Sequence, residues 1–398
     1  MNRIVFIAIG LMLVMLGALM DVPAILDASL GNPDWKVFAI SSGVSFFIGG
    51  ALVLANRGSD YKLGLREGYL LTVGSWVAIS FMAAVPFWMS NLQISFTDSV
   101  FEAVSGLTTT GSTVLSGLDS MPPGLLLWRG MLQWIGGIGI VVMAVAMLPF
   151  LRVGGMQLFR LESSDRSDKV APRLVGVSIR IVGIYIALTV LCGGAYWFFG
   201  MTAFEAIVHA MTTVSTGGFS TSDQSLGYFT SSSIEWTAVV FMLAGSLPFA
   251  VYVKFFGRLD WSVFARDGQV KMFLGYTAFF IAVLGLWLIF EQRLPLNEAF
   301  RKSAFSVVSI ITTTGYASGD YLQWGAFAAT LFFMLTFIGG CAGSTAGGIK
   351  TFRFQVMAVE IARQGKFLLH PHGVFKARLD GRPIEQELAV SVFIFFAV

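Results

Sequence analysis

A chain of 398 residues that is 56% hydrophobic and only 12% charged, with a mean hydropathy of +0.76, is not an ordinary soluble domain, in which about a quarter of residues are charged. The net charge of +3 carries little information by itself, and no nucleic-acid partner is expected. Two cysteines, Cys192 and Cys341, sit in separate apolar segments and form no disulfide framework.

Apolar stretches of about 20 residues, enough to cross a bilayer, recur along the whole chain. Ile4–Met20 follows Arg3 in the manner of a signal peptide, but Asp21, Val22 and Pro23 make a poor cleavage site, so it reads as a retained span. Spans are expected near 4–26, 37–55, 68–90, 124–150, 174–199, 234–256, 272–291 and 325–364, the last interrupted. A further apolar run begins at Leu388. The regions 97–120, 202–225 and 297–320 are moderately apolar, too short to cross, and flanked by full spans. This pattern marks re-entrant segments, tolerated where irregular backbone packs on protein or lines a cavity.

Positive charge sets the orientation. With a cytoplasmic N-terminus, only five of the 26 Lys and Arg residues (Lys36, Arg129, Arg293, Arg301 and Lys302) fall outside. That bias is a strong positive-inside signal, and it brings all three re-entrant segments in from the outer face.

The three segments align without gaps. Hydroxyl residues coincide at Ser105, Thr212 and Ser309, at Thr108, Ser215 and Thr312, and at Thr109, Thr216 and Thr313. A glycine closes each run, at Gly111, Gly218 and Gly315. Each unit is therefore span, loop, span. A dehydrated cation needs oxygen ligands in place of its water shell, and pore-loop carbonyls supply them in potassium channels. Glycine permits the unusual dihedrals this requires, while threonine hydroxyls add oxygens and tie the strand down. Each short helix ahead of a loop points its negative C-terminal dipole at the cation, with Thr97 or Asp98, Thr202 and Asn297 as expected N-caps. The expected filter is Thr109, Thr110 and Gly111; Thr216, Gly217 and Gly218; and Thr313, Thr314 and Gly315. One aligned glycine per loop implies few stacked carbonyl sites and modest discrimination against sodium. Glu102 and His209 share a pore-helix position, either to orient the filter or only to pack near it.

The span from Gly325 is apolar only to Ile338, about 20 Å of helix, short of the roughly 30 Å core. Gly339, Gly340, Cys341, Ala342, Gly343, Ser344, Thr345, Ala346, Gly347, Gly348, Ile349 and Lys350 then interrupt it. A loop of this kind below a filter can obstruct the path and swing aside, so a gate is expected. Close packing of small residues is the competing reading. A nucleotide-binding phosphate loop is disfavoured because Ile349 separates Gly348 from Lys350. His370 and His372 read as a loop turn rather than a metal site. No Ser/His/Asp set or paired intramembrane carboxylates stand out, which disfavours an enzyme.

Several stretches resemble the Trk/Ktr/HKT potassium transporters, and specifically the TrkH-type bacterial subunit: Ser105–Thr113, Gly117–Pro122, Met131–Ile140, Val153–Leu158, Gly217–Thr221, Phe337–Lys350 and His370-Pro371. The resemblance implies an all-α polytopic membrane protein with span–pore loop–span repeats around a pseudo-fourfold pore. It divides the chain into two extra N-terminal helices (1–60), repeat 1 (61–170), repeat 2 (171–268), repeat 3 with its gating loop at 339–350 (269–383), and the start of a fourth repeat (384–398). It implies potassium as the substrate, bound at the filter residues above, with no cofactor of the chain's own and nucleotide acting only through a partner. The implied partners are a second copy of the chain and a cytoplasmic TrkA-type nucleotide-binding regulatory subunit, at the bacterial inner membrane. Ala346 stands where the family usually has glycine. Related plant transporters favour sodium through serine at the first filter glycine, so Gly111 argues for potassium over a sodium-preferring or unselective pathway. With the fourth repeat incomplete, the sequence is expected to be a piece of a longer protein.

Overall fold

The computed structural model describes residues 3–58, 65–147, 170–379, 381–384 and 386–397. Lys62, the Val153–Leu158 motif and the basic residues Arg152, Arg160, Arg166 and Lys169 lie outside the described residues. The chain divides into two compact units. The first comprises Met1–Gly136, Ile207–Thr212 and Gly217–Ser225; the second comprises Gly137–Ala206, Thr213–Thr216 and Leu226–Val398.

In the first unit, α1 (Arg3–Ser29) and α2 (Trp35–Ala55) form an apolar hairpin. Gly31 turns the chain in a left-handed conformation (φ 73°), which glycine adopts without steric cost. Lipid tails are as apolar as the helices, so association rests on close packing and small residues. Here Gly10 and Gly49 meet back to back: a Cβ on Gly10 would lie 2.7 Å from the Gly49 carbonyl oxygen, and one on Gly49 2.6 Å from that of Gly10. Ser45 Oγ adds a hydrogen bond to the Leu13 carbonyl at 2.7 Å. Next come α3 (Leu65–Met89), the short α4 (Phe96–Leu107) and α5 (Pro123–Met147), whose later residues pass into the second unit. Trp128 Nε1 on α5 donates to the Ala83 carbonyl on α3 at 3.1 Å. The buried Asp27 accepts from Gly124 N at 2.8 Å, placing a carboxylate at the positive end of α5.

The second unit holds α6 (Val170–Phe198), α7 (Ala203–Val214, continuing into the first unit's 207–212), α8 (Ser232–Ser246), α9 (Phe249–Arg258), α10 (Ser262–Arg266), α11 (Gly268–Phe290), α12 (Leu296–Ile311), α13 (Ala326–Leu335) and α14 (Thr351–Leu369). A two-residue hairpin, Arg378–Leu379 with Arg382–Pro383, precedes α15 (Gln386–Ala397). Among the described residues six helices are long and apolar enough to cross a membrane, or seven if α8 and α9 count as one span.

That last pair corrects the sequence expectation. The stretch 234–256 is two helices bent by 91°. Pro248 lacks an N–H and pushes Leu247 out of the helical region (ψ 155°), so the helix breaks there. The pore-helix caps are also corrected in part. Thr202 caps α7 as expected, its Oγ1 accepting from Glu205 N at 3.3 Å. The first cap is Ser95, in a reciprocal box with Asp98; the third is Pro295, without a side-chain cap.

Replacing Gly49 with leucine should separate the α1–α2 hairpin, because the new Cβ would lie 2.6 Å from the Gly10 carbonyl oxygen and 3.0 Å from both Val14 N and Val14 Cγ2. The expected result is a lower melting temperature of the detergent-purified protein, with Gly43→Leu, where a Cβ meets nothing within 4 Å, leaving it nearly unchanged.

Candidate ion filter and its intramembrane loop

Three pore helices, α4, α7 and α12, span only 12, 12 and 16 residues, about 18–24 Å at 1.5 Å per residue. Each delivers its C-terminus to a predicted filter loop. The loops then share one backbone pattern. Thr109 (φ 55°) and Gly111 (81°), Thr216 (53°) and Gly218 (79°), and Thr313 (58°) and Gly315 (80°) are left-handed, while the residue between each pair is not. Left-handed backbone costs a non-glycine residue about 1–2 kcal/mol, and for a β-branched side chain it is a true outlier. Three aligned threonines bearing that penalty by chance would be a coincidence; strain of this kind concentrates at functional sites.

The alternation sorts the polar groups. The N–H groups turn back onto the final carbonyls of the pore helix: Thr110 to Ser105 at 2.9 Å, Gly217 to Thr212 at 2.9 Å, and Thr314 to Ser309 at 2.9 Å. The carbonyls of Thr109, Thr110, Gly111, Thr216, Gly218, Thr313, Thr314 and Gly315 accept no hydrogen bond among the described residues. Gly217 departs from the other loops: its carbonyl accepts from Gln133 Nε2 at 2.7 Å. Gln133 Oε1 in turn accepts from Phe219 N at 3.0 Å. Glycine is required there, because a Cβ on residue 217 would lie 2.3 Å from the Gln133 side chain.

The matched hydroxyls hold the loops. Ser105 Oγ donates to the Ser112 carbonyl at 2.5 Å and Ser309 Oγ to the Tyr316 carbonyl at 2.7 Å, in each case the residue after the filter glycine. Thr108 and Thr110 share a 2.8 Å hydroxyl contact, as do Thr312 and Thr314 at 2.7 Å. In the second unit Thr213 Oγ1 lies 2.9 Å from Tyr196 OH and 3.1 Å from Tyr316 OH. Glu102 and His209 do more than pack: Glu102 accepts from Thr113 Oγ1 at 2.9 Å, and His209 Nε2 lies 3.0 Å from Ser220 Oγ. Arg129, counted in the sequence only as an outer charge, pairs with Glu102 at 2.8 Å, both side chains buried. Lone polar residues in an apolar helix, such as Arg129 and Gln133, are the signal that could have marked them.

The loop after α13 is non-helical through Lys350, as expected, and it docks on the break at Pro248. With the helix interrupted, the carbonyls of Gly245 and Ser246 lose their helical donors. Thr345 supplies N–H and Oγ1 to Gly245 at 3.2 and 2.9 Å, and Cys341 N donates to Ser246 at 3.0 Å. Phe249 N donates to the Gly343 carbonyl at 3.0 Å. The loop also touches the end of one pore helix and one predicted filter residue: Thr345 Oγ1 donates to the carbonyl of Val214, the last residue of α7, at 3.0 Å, and Gly347 N to Thr313 Oγ1 at 2.6 Å. From α11, Tyr276 OH donates to the Gly339 carbonyl at 2.9 Å, and Gln269 Oε1 accepts from Ala342 N at 3.0 Å. Lys350 Nζ folds back onto the Ala346 carbonyl. Part of the glycine content is packing: a Cβ on Gly339 would lie 2.1 Å from the Gly347 carbonyl oxygen, and one on Gly340 2.7 Å from Ala346 Cβ. Gly343, left-handed at φ 77°, faces open space. His370 and His372 sit in an exposed turn after α14, and no cluster of three or more metal-ligating residues occurs among the described residues.

Comparison with known proteins agrees with this architecture. Residues 35–398 match the model of the TrkH family, described as a cation transport protein. The chain is 42% identical over 389 residues to the Trk system potassium uptake protein TrkI of Halomonas elongata, covering 96% of this chain and 79% of the relative. It is 37% identical over 397 residues to TrkH of Escherichia coli, covering 98% and 81%. The crystal structure of the potassium transporter TrkH from Vibrio parahaemolyticus superposes with a TM-score of 0.91 at 33% identity, over 99% of this chain and 82% of that one. The mostly helical fold with repeated pore loops, the multiple apolar spans and these matches over nearly the whole chain lead to one conclusion: the chain is a multi-pass membrane protein that belongs to the TrkH family of cation transport proteins, a family of transporters and not of enzymes.

Proposed function

We propose that this chain carries potassium into a bacterium across the inner membrane, with its N-terminus in the cytoplasm. The observation that carries this reading is the recurrence of left-handed Thr109/Gly111, Thr216/Gly218 and Thr313/Gly315, which leaves filter carbonyls without internal donors. Such oxygens can replace the hydration shell of a monovalent cation, and the C-termini of three short helices favour positive charge beside them. Relatives named as potassium uptake proteins support potassium as the ion. In this reading Thr109, Thr110, Gly111, Thr216, Gly218, Thr313, Thr314 and Gly315 offer carbonyls to the ion, and Gly217 holds its loop in register through Gln133.

Gly339–Lys350 acts as the gate. Its contacts with Val214 and Thr313 tie it to the end of one pore helix and to the third filter loop, and its contacts with Gly245 and Ser246 are the ones that opening must break. A cytoplasmic TrkA-type nucleotide-binding subunit and a second copy of the chain are the partners through which such a gate is regulated. The repeat boundaries drawn from the sequence describe the assembly in the same reading. Glycine at all three aligned filter positions favours potassium over a sodium-preferring pathway.

Expressed with a regulatory partner in bacteria lacking potassium uptake, the protein should restore growth at low potassium. Well-inserted protein that moves neither potassium nor rubidium overturns the reading. Gly315→Ser should lower the rubidium-to-sodium uptake ratio by about tenfold, because a Cβ at φ 80° costs about 1 kcal/mol or more and shifts the carbonyl; an unchanged ratio counts against the filter assignment. Thr345→Val removes the hydroxyl from Val214 and Gly245, so it should raise rubidium flux in the absence of the regulatory subunit. Lower flux with the same dependence on that subunit would favour a packing role for the loop.

A further inference from the structure

Arg129 touches no filter carbonyl, yet its guanidinium reaches the strand that leaves the filter in both loops of the first unit. Nε pairs with Glu102 Oε1 at 2.8 Å, Nη2 donates to Thr113 Oγ1 at 3.1 Å, and Nη1 donates to the Ser220 carbonyl at 3.0 Å. Thr113 and Ser220 each stand two residues beyond their filter glycine. Glu102 completes the brace on the first loop, accepting from Thr113 Oγ1 at 2.9 Å and from Val114 N at 3.2 Å. The aligned pore-helix residue His209 completes it on the second, with Nε2 3.0 Å from Ser220 Oγ. The plane of the guanidinium is further held by Phe219, whose ring centroid lies 4.1 Å from Cζ. Arg129 and Glu102 are 1% and 0% exposed.

We infer that Arg129, held by Glu102, is a positioning residue for ion discrimination: one guanidinium sets the outer ends of two filter loops and so the spacing of their carbonyls. This inference rests on the transport reading above. Its physical basis is that a strained strand keeps its conformation only when both ends are fixed. The pore-helix end is tied by the N–H bonds to Ser105 and Thr212. The outer end needs a donor that reaches a hydroxyl and a carbonyl on two separate strands. The planar fork of arginine does this and the single ammonium of lysine does not. A buried ion pair adds little net stability against an apolar pair of the same size, so its value here lies in geometry.

Three variants test it, with rubidium and sodium uptake measured at matched amounts of membrane-inserted protein. Thr113→Val removes one hydroxyl from an exposed side chain and leaves the buried pair in place; Arg129→Lys keeps the charge and loses the fork; Thr113→Ser restores the hydroxyl. The expected result is a rubidium-to-sodium preference lowered about threefold in Thr113→Val and about tenfold in Arg129→Lys, a tenfold change being about 1.4 kcal/mol. The rubidium KM should rise while the maximal rate stays within about twofold, and Thr113→Ser should match the parent. If Arg129→Lys does not accumulate, Thr113→Val decides alone. Parental preference in the inserted variants, or a lower maximal rate with unchanged preference, overturns the inference. A parent protein that takes up no rubidium overturns the transport reading and this inference with it.

Discussion

A peptide group facing hydrocarbon without a partner costs several kcal/mol, and that penalty organises the irregular parts of this protein. The second unit breaks its helices at two places and joins the breaks to each other. Pro248 ends α8 and frees the carbonyls of Gly245 and Ser246; Thr345 and Cys341, from the break after α13, cover them. Phe249 N, which cannot find a helical acceptor at the start of α9, finds the Gly343 carbonyl. Neither interruption would be tolerable alone. Each break supplies the donors or the acceptor that the other lacks.

The filter loops are the exception to that accounting, and the exception is informative. Their N–H groups are satisfied by the pore-helix carbonyls, while the carbonyls opposite are left without internal donors. In the transport reading proposed above, a dehydrated cation is the partner these oxygens would take. Left-handed threonines at Thr109, Thr216 and Thr313 store about 1–2 kcal/mol each, and the hydroxyls around them hold the conformation. Thr216 and Thr313 each donate to the carbonyl of the preceding residue at 2.7 Å.

The three loops are alike in backbone and different in support. The first leans on Glu102 and Arg129, the second on Gln133 at Gly217 and Phe219, and the third on Ser309 and the docked N–H of Gly347. A duplicated pore element within one chain is free to diverge in this way, because each copy meets its own neighbours. Charges buried in the membrane are costly and tend to mark function, and Glu102 with Arg129 fits that pattern through the strands it holds.

Much of this was legible in the linear sequence, for definite physical reasons. Bilayer thickness demands long apolar runs, so the spans announced themselves, as did the three short re-entrant helices between them. Strained backbone tolerates few residue types, so the aligned hydroxyls and glycines from Ser105 to Gly111, Thr212 to Gly218 and Ser309 to Gly315 mark in the sequence the three loops that share one left-handed backbone pattern. The glycine run from Gly339 marked the break after α13 in the same way. What only the tertiary structure decided were contacts between residues far apart in the chain. Pro248 sat unnoticed in an apolar run because the composition of α8 and α9 is that of one span; its effect is visible only once Thr345 and Cys341 occupy the freed carbonyls. Gly217 looked like one more filter glycine until Gln133, 84 residues away, was found to claim its carbonyl. Arg129 was an outer charge until folding placed it between Glu102 and Ser220, because periodicity records which face a residue lies on and says nothing of which distant strand that face will meet.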